Sequence, residues 1–158
     1  MMTETRIHPE TGKTLKRDVR PMVVQYGSMA REVDVPGWYA EPDDGNSIHS
    51  GTDLKAADEA YAELRQAYSM HVRDVRKSLK LTQEEAGEII GGGRRAFHKY
   101  ESGKAPPSDA AVGLIEVLAH DPKVLTILKT VRLAGTGAVK KGRSRRTSER
   151  LRGLRDGR

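Results

Sequence analysis

Two hydrophobic periods divide this 158-residue chain. Near its start, β-favouring residues gather as Met22-Val23-Val24, Val33, Val35 and Trp38-Tyr39. Tyr26-Gly27-Ser28 reads as a hairpin turn between them, and Pro36-Gly37 as a second break. These signals predict a small antiparallel sheet over residues 14–49, with Trp38, the only tryptophan, read first as a core anchor and in the alternative as an exposed residue of a partner surface. From Thr52 or Asp53 the period changes to three or four, through Leu54, Ala57, Tyr61, Leu64 and Tyr68. No proline or glycine falls between Gly51 and Gly87. A long helix is expected there, either continuous or bent near Tyr68-Ser69-Met70, with its tyrosines in the core.

A third pattern occupies residues 79–104. Thr82 and Glu85 have the spacing of a capping box. Ala86, Ile89 and Ile90 then give one apolar helix face. Gly91-Gly92-Gly93 predicts a sharp turn, because glycine accepts positive φ without steric cost. After it, Ala96, Phe97 and Tyr100 can pack inward, which leaves Arg94, Arg95, His98 and Lys99 on the other side. That division suits a helix that enters the DNA major groove with its apolar back held on the protein. Arg95 and Lys99, four apart, are the first candidates for base contacts, since Arg and Lys donate to guanine O6 and N7. Arg94 and His98 could read bases or hold phosphates. Thr82 and Gln83, at a helix start, and Lys104, just past the second helix, are the phosphate candidates.

The flanks continue in helical period. Upstream lie Val72, Val75, Leu79 and Leu81. Downstream, Gly103 is a candidate C-cap before Pro106-Pro107, and Ser108 caps a stripe of Ala111, Val112, Leu114, Ile115 and Leu118. Asp121-Pro122 opens a last stripe of Val124, Leu125, Ile127, Leu128 and Val131. Exposed apolar residues of these last two helices are the expected dimer surface.

Composition changes one part of this picture. The net charge is +6, which by itself invites a nucleic-acid partner. Residues 134–158, however, hold nine Lys or Arg against two acids, and the rest of the chain holds 19 basic and 20 acidic side chains. The excess belongs to the tail, so the DNA argument rests on the motif alone. The tail is rich in Gly, Ser and Arg, and is expected to be disordered, either an arm on DNA phosphates or a solubilising extension.

With these motifs placed, VRKSLKLTQEEAGEIIGGGRRAFHKYESGKAPPS resembles the C-terminal domain of MqsA-type antitoxins, within the Xre/Cro-like helix-turn-helix regulators. The resemblance covers about residues 72–132, and EAGEIIGGGRRAFHKYESG is its most specific run. It implies base reading by Arg95 and Lys99, a homodimer, an operator as DNA partner, and a cognate toxin that cleaves mRNA. The family usually opens with a zinc-binding domain built on two CxxC pairs, whereas this chain has no cysteine. His8, Thr11, Ala40 and Asp43 stand where those ligands would fall. Ala40 cannot coordinate and Thr11 is a poor ligand, so a zinc-free domain is expected, with no metal and no cofactor.

The expected fold is α+β: a small N-terminal antiparallel sheet plus long helix, a five-helix Xre/Cro-like domain, and a disordered basic tail. The expected boundaries are 1–68 for partner binding, 69–133 for DNA binding and dimerisation, and 134–158 for the tail. No signal peptide or membrane-spanning run is seen, which points to the cytoplasm. No nucleophile–base motif or phosphate loop is seen either, so no catalytic residue is assigned. The expected function is a DNA-binding antitoxin that neutralises a toxin and represses its own operon. The alternative readings are a stand-alone Xre-family regulator without a toxin, and an adaptor whose basic helix binds no DNA.

Overall fold

The computed structural model describes residues 4–141. Four strands form one antiparallel sheet in the order β1 (Thr5–Ile7), β2 (Thr14–Tyr26), β3 (Met29–Ala40) and β4 (Ser47–Ile48). Five helices follow: α1 (Lys55–Ser78), α2 (Gln83–Ile89), α3 (Ala96–Glu101), α4 (Asp109–His120) and α5 (Val124–Lys141). The fold is the expected α+β arrangement.

The sheet is essentially one long hairpin. β2 and β3 pair from Leu15↔Ala40 to Tyr26↔Met29, closed by the two-residue turn Gly27-Ser28. Gly27 supplies the positive φ of 60° that such turns require. It also seats the turn, since a Cβ there would stand 2.4 Å from the Tyr68 ring. Beside it, Ser28 Oγ donates to Glu116 Oε1 at 2.8 Å, and His71 Nε2 lies 3.1 Å from the same oxygen. The hairpin tip is therefore fastened to both α1 and α4.

Three expectations about the sheet are corrected. It begins at Thr5, because β1 pairs with residues 14–16. Pro36-Gly37 does not break it: Pro36 pairs with Val19 and Gly37 with Asp18 inside β3. The Pro36 carbonyl accepts from His49 Nδ1 at 3.0 Å, beyond the outer edge of β3. Its ring nitrogen faces the same way, so no β2–β3 hydrogen bond is lost. Gly37 leaves room for that histidine ring, 2.6 Å from where a Cβ would be. Trp38 is not a core anchor. It is only partly buried and lies beneath the Arg17 guanidinium, 5.6 Å from the ring centroid. Val35, Gly37 and Tyr39, on the alternate positions, take the buried face instead.

α1 is a single unbroken helix of 24 residues, about 36 Å long. The long helix and the first helix of the following unit are thus the same element, and the boundary expected at residues 68/69 falls within it. One hydrophobic core runs along α1. It joins Val24, Tyr26 and Val35 of the sheet to Leu64, Tyr68, Val72 and Val75 of α1, and on to Ile90, Phe97, Ile115 and Leu118. Each fully buried aliphatic side chain of this set contributes about 1.5–3 kcal/mol. α1 ends without glycine: Lys80 takes φ 57°, with Lys80 N–H bonded to the Lys77 carbonyl and Leu81 N–H to the Arg76 carbonyl.

Ser108 caps α4 by accepting from Ala111 N–H at 3.3 Å, as its position predicts. α5 runs to Lys141, so residues 134–141 of the expected tail continue it as helix. The remainder of that tail, 142–158, lies outside the described residues. Among the described residues, no helix is long and apolar enough to cross a membrane.

Candidate nucleic-acid interface

α2, the glycine turn and α3 form one compact unit against the C-terminal half of α1. At its start the capping box is complete: Thr82 Oγ1 accepts from Glu85 N–H at 3.2 Å, and Thr82 N–H donates to the Glu85 carboxylate at 2.8 Å. That donated bond holds the Glu85 carboxyl below its ordinary pKa. The Thr82 oxygen serves as the cap, and the Thr82 side chain also bonds the Glu85 carboxylate, which lowers that pKa further.

The turn is tighter than its three glycines alone suggested. Gly91, Gly92 and Gly93 all have positive φ, at 133°, 91° and 87°. A Cβ on Gly92 would meet the Tyr100 hydroxyl at 2.5 Å and Ala96 Cβ at 2.6 Å. Gly87, inside α2, was not singled out by the sequence pattern. A Cβ there would lie 2.1 Å from the Gly93 carbonyl oxygen, so α2 must present hydrogen alone to the turn. Ala86, Ile90, Ala96, Phe97 and Tyr100 are buried behind it.

α3 is short, and Arg95 is its N-cap residue, with φ −99° and ψ 0°. Arg94 and Arg95 therefore precede the helix instead of riding on it. Arg94, Arg95, His98 and Lys99 are all exposed. Arg95 and Lys99 remain one turn apart, linked through Lys99 N–H and the Arg95 carbonyl at 3.4 Å. Arg94 is engaged by two carboxylates of α2, Glu84 at 2.7 Å and Glu88 at 3.5 Å. The Glu84 hydrogen bond raises the Arg94 pKa further. α3 closes with both bonds of a Schellman motif, Gly103 N–H to the Tyr100 carbonyl and Lys104 N–H to the Lys99 carbonyl. Lys104 is exposed just beyond.

Behind this surface is a network that the sequence reading missed. Arg76 of α1 makes a two-pronged contact with Glu101 of α3, one prong being Nη2–Oε2 at 3.1 Å. Its Nη1 donates to the Leu81 carbonyl at 2.9 Å. Gln83 Nε2 donates to Glu101 Oε2 at 2.8 Å, so the Gln83 side chain faces this pair. The two charged side chains are only 13% and 6% exposed. Burial pushes the Glu101 carboxyl up, but the bonds from Arg76 and Gln83 outweigh it and leave its pKa lowered. Three helices are thereby tied at one point. The signal was present: Arg76 occupies an i+4 place in the Val72, Val75, Leu79 stripe, where an apolar residue would be the default.

At the other end of α1, the residues aligned with the metal ligands of the resembled family do not make a zinc set. His8 Nδ1 accepts from Glu10 and Thr11 N–H within its own turn. Ala40 is buried and has no donor atom, and Asp43 pairs with Arg20 at 3.0 Å. Among the described residues, no group of three or more His, Cys, Asp or Glu could hold a metal. Ion pairs tie these loops instead. Lys13 bonds Asp44, whose pKa falls to about 2 chiefly through that bond, and Lys16 reaches Glu41 at 2.5 Å. Arg17 grips Asp53 with bonds of 2.6 and 3.0 Å.

Two comparisons bear on this site. Residues 11–129, about three quarters of the chain, match the family described as the antitoxin component of a bacterial toxin–antitoxin system, MqsA. Antitoxin MqsA of Escherichia coli strain K12 is 47% identical over 55 residues, which cover 35% of this chain and 42% of that protein.

Proposed function

The chain belongs to the MqsA antitoxin family, and we propose that it binds its own operator DNA and neutralises a cognate toxin. The single observation that carries the DNA half is the exposed set Arg94, Arg95, His98 and Lys99, the first two leading into α3 and the last two on it, with α3 held from behind. In this reading Arg95 and Lys99 read bases. Arg94 is partly neutralised by Glu84 and Glu88, so it and His98 are secondary. Thr82, at the start of α2, and Lys104 contact phosphates. Gln83 contributes through its place at the start of α2 more than through its side chain, which Glu101 already engages.

A homodimer follows from the same reading. Val117, Ile127, Val131 and Leu133 are 47%, 62%, 61% and 73% exposed on α4 and α5, and a second copy would cover them. An operator palindrome would then match the twofold axis of the protein. The toxin, an mRNA-cleaving protein by family resemblance, is assigned to the sheet and the first half of α1. The protein acts in the cytoplasm and has no catalytic role of its own.

The test is co-expression with the reading frame that adjoins this one. The toxin reading expects a stable co-purified complex and rescue of growth arrest. A second reading, a stand-alone regulator, is favoured by the N-terminal donor set that departs from the family's zinc ligands. It expects operator binding without either effect.

A further inference from the structure

We propose that the cleft between α1 and the C-terminal end of α3 binds one backbone phosphate of DNA, with Arg73 as its principal ligand. The inference rests on the DNA-binding reading above and adds a contact on a helix outside the helix-turn-helix unit. The cleft, about 310 Å³, is lined by Arg73, Arg76, Gln83, His98, Glu101 and Ser102.

Its charge follows from which groups are already engaged. Glu101 is the one carboxylate in the lining, and Arg76 and Gln83 both bond it. Arg76 is in turn committed to Glu101 and to the Leu81 carbonyl. Arg73 is exposed and, among the described residues, its side chain has neither a hydrogen bond nor an ion pair. Its field nevertheless reaches Glu101 and helps to lower that carboxyl's pKa. The cleft therefore keeps the positive charge of Arg73 beside two further donors, the His98 ring and the Ser102 hydroxyl. The Ser102 hydroxyl gives its one proton to the Lys99 carbonyl at 3.2 Å and reaches a phosphate by turning away from that bond.

A guanidinium flanked by a ring N–H and a hydroxyl suits a phosphodiester, whose oxygens accept from several directions. The position suits it too, since His98 and Lys99 are neighbours on α3 and place the cleft beside the base-reading residues. A contact of this kind sets the depth and register of the helix and carries no sequence information.

The experiment uses the full-length protein and two fluorescent duplexes of equal length. One has the sequence upstream of its own reading frame, the other a scrambled sequence, and affinities are measured over a series of salt concentrations. Arg73→Ala is expected to weaken both complexes by the same factor, about three- to tenfold, and to reduce the salt slope by about 0.9. Arg73→Lys should restore most of the slope. Because Arg73 is exposed, thermal unfolding of both variants should match the parent. An unchanged slope, or a loss confined to the operator duplex, overturns the phosphate assignment. Equal affinity of the parent for both duplexes counts against operator reading while the slope still decides the role of Arg73. No binding of the parent to either duplex removes both.

Discussion

The two ends of α1 hold their neighbours by different means. At the C-terminal end, α2 and α3 are fixed by the buried Arg76–Glu101 pair and by glycines that allow backbones to touch. At the N-terminal end, the hairpin lies on tyrosines, and its loops are tied mainly by ion pairs with an exposed partner, Lys13–Asp44 and Lys16–Glu41, with Arg17–Asp53 the more buried exception. An exposed ion pair contributes about 0–1 kcal/mol, whereas removing one partner of a buried pair costs about 3–5 kcal/mol. The contrast follows from the proposed tasks. A base-reading surface needs a backing that does not shift, and the sheet end needs only to be held together.

The largest effect is therefore expected from Glu101→Ala, which leaves the Arg76 guanidinium buried without a counter-charge. We expect a loss of about 3–5 kcal/mol in urea unfolding. A loss below about 1 kcal/mol would mean that the two ends are held alike. Tyr68→Ala asks whether the ends are one cooperative body. It should cost about 3 kcal/mol, near the value for other large aromatic deletions. Hydrogen exchange should then quicken in β2–β3 and in α2–α3 together, because Tyr68 belongs to the core that joins them. Faster exchange in the sheet alone would divide the molecule in two.

The dependence on pH sharpens the contrast. Asp53 is held well below the usual carboxylate range, first by its bond from Arg17 and then by Ser50 N–H, and Asp44 titrates at about 2. A carboxylate with a lowered folded pKa stabilises the fold above its unfolded value, about 3.9. That contribution is lost as pH falls through the folded value. Acidification from about pH 4 should thus weaken the parent more steeply than Asp53→Asn, as followed by circular dichroism. Parallel profiles would remove Asp53 from the account. The smallest effect is Lys80→Gly. Relief of the left-handed conformation should raise stability by no more than about 1 kcal/mol, since glycine also loses more entropy on folding.

Local signals were legible and long-range ones were not. The capping box, the glycine turn, the Ser108 cap and the buried trio Ala96, Phe97 and Tyr100 each depend on residues a few places apart. The Arg76–Glu101 pair spans 25 positions, and neither residue has a local pattern that names the other. No local pattern singles out Gly87, because its constraint comes from Gly93 across the turn. Pro36-Gly37 misled for a similar reason. Whether a proline breaks a strand depends on which edge its nitrogen faces, and only the pairing decides that. Trp38 reads as a core anchor because it is the only tryptophan, but strand alternation gives the inner face to Tyr39.

In the proposed reading, Arg95 at the N-cap and Lys99 on α3 read operator bases, with α3 locked by Arg76 and Glu101. The most direct measurement compares the affinity of full-length protein for the duplex upstream of its own frame and for a scrambled duplex at fixed salt. The account predicts strong preference by the parent, and loss of most of it in Arg95→Ala/Lys99→Ala, about 10–100-fold per bidentate base contact removed. Weaker, salt-sensitive binding to both duplexes should remain. A folded double variant that keeps the parent's preference would contradict the account.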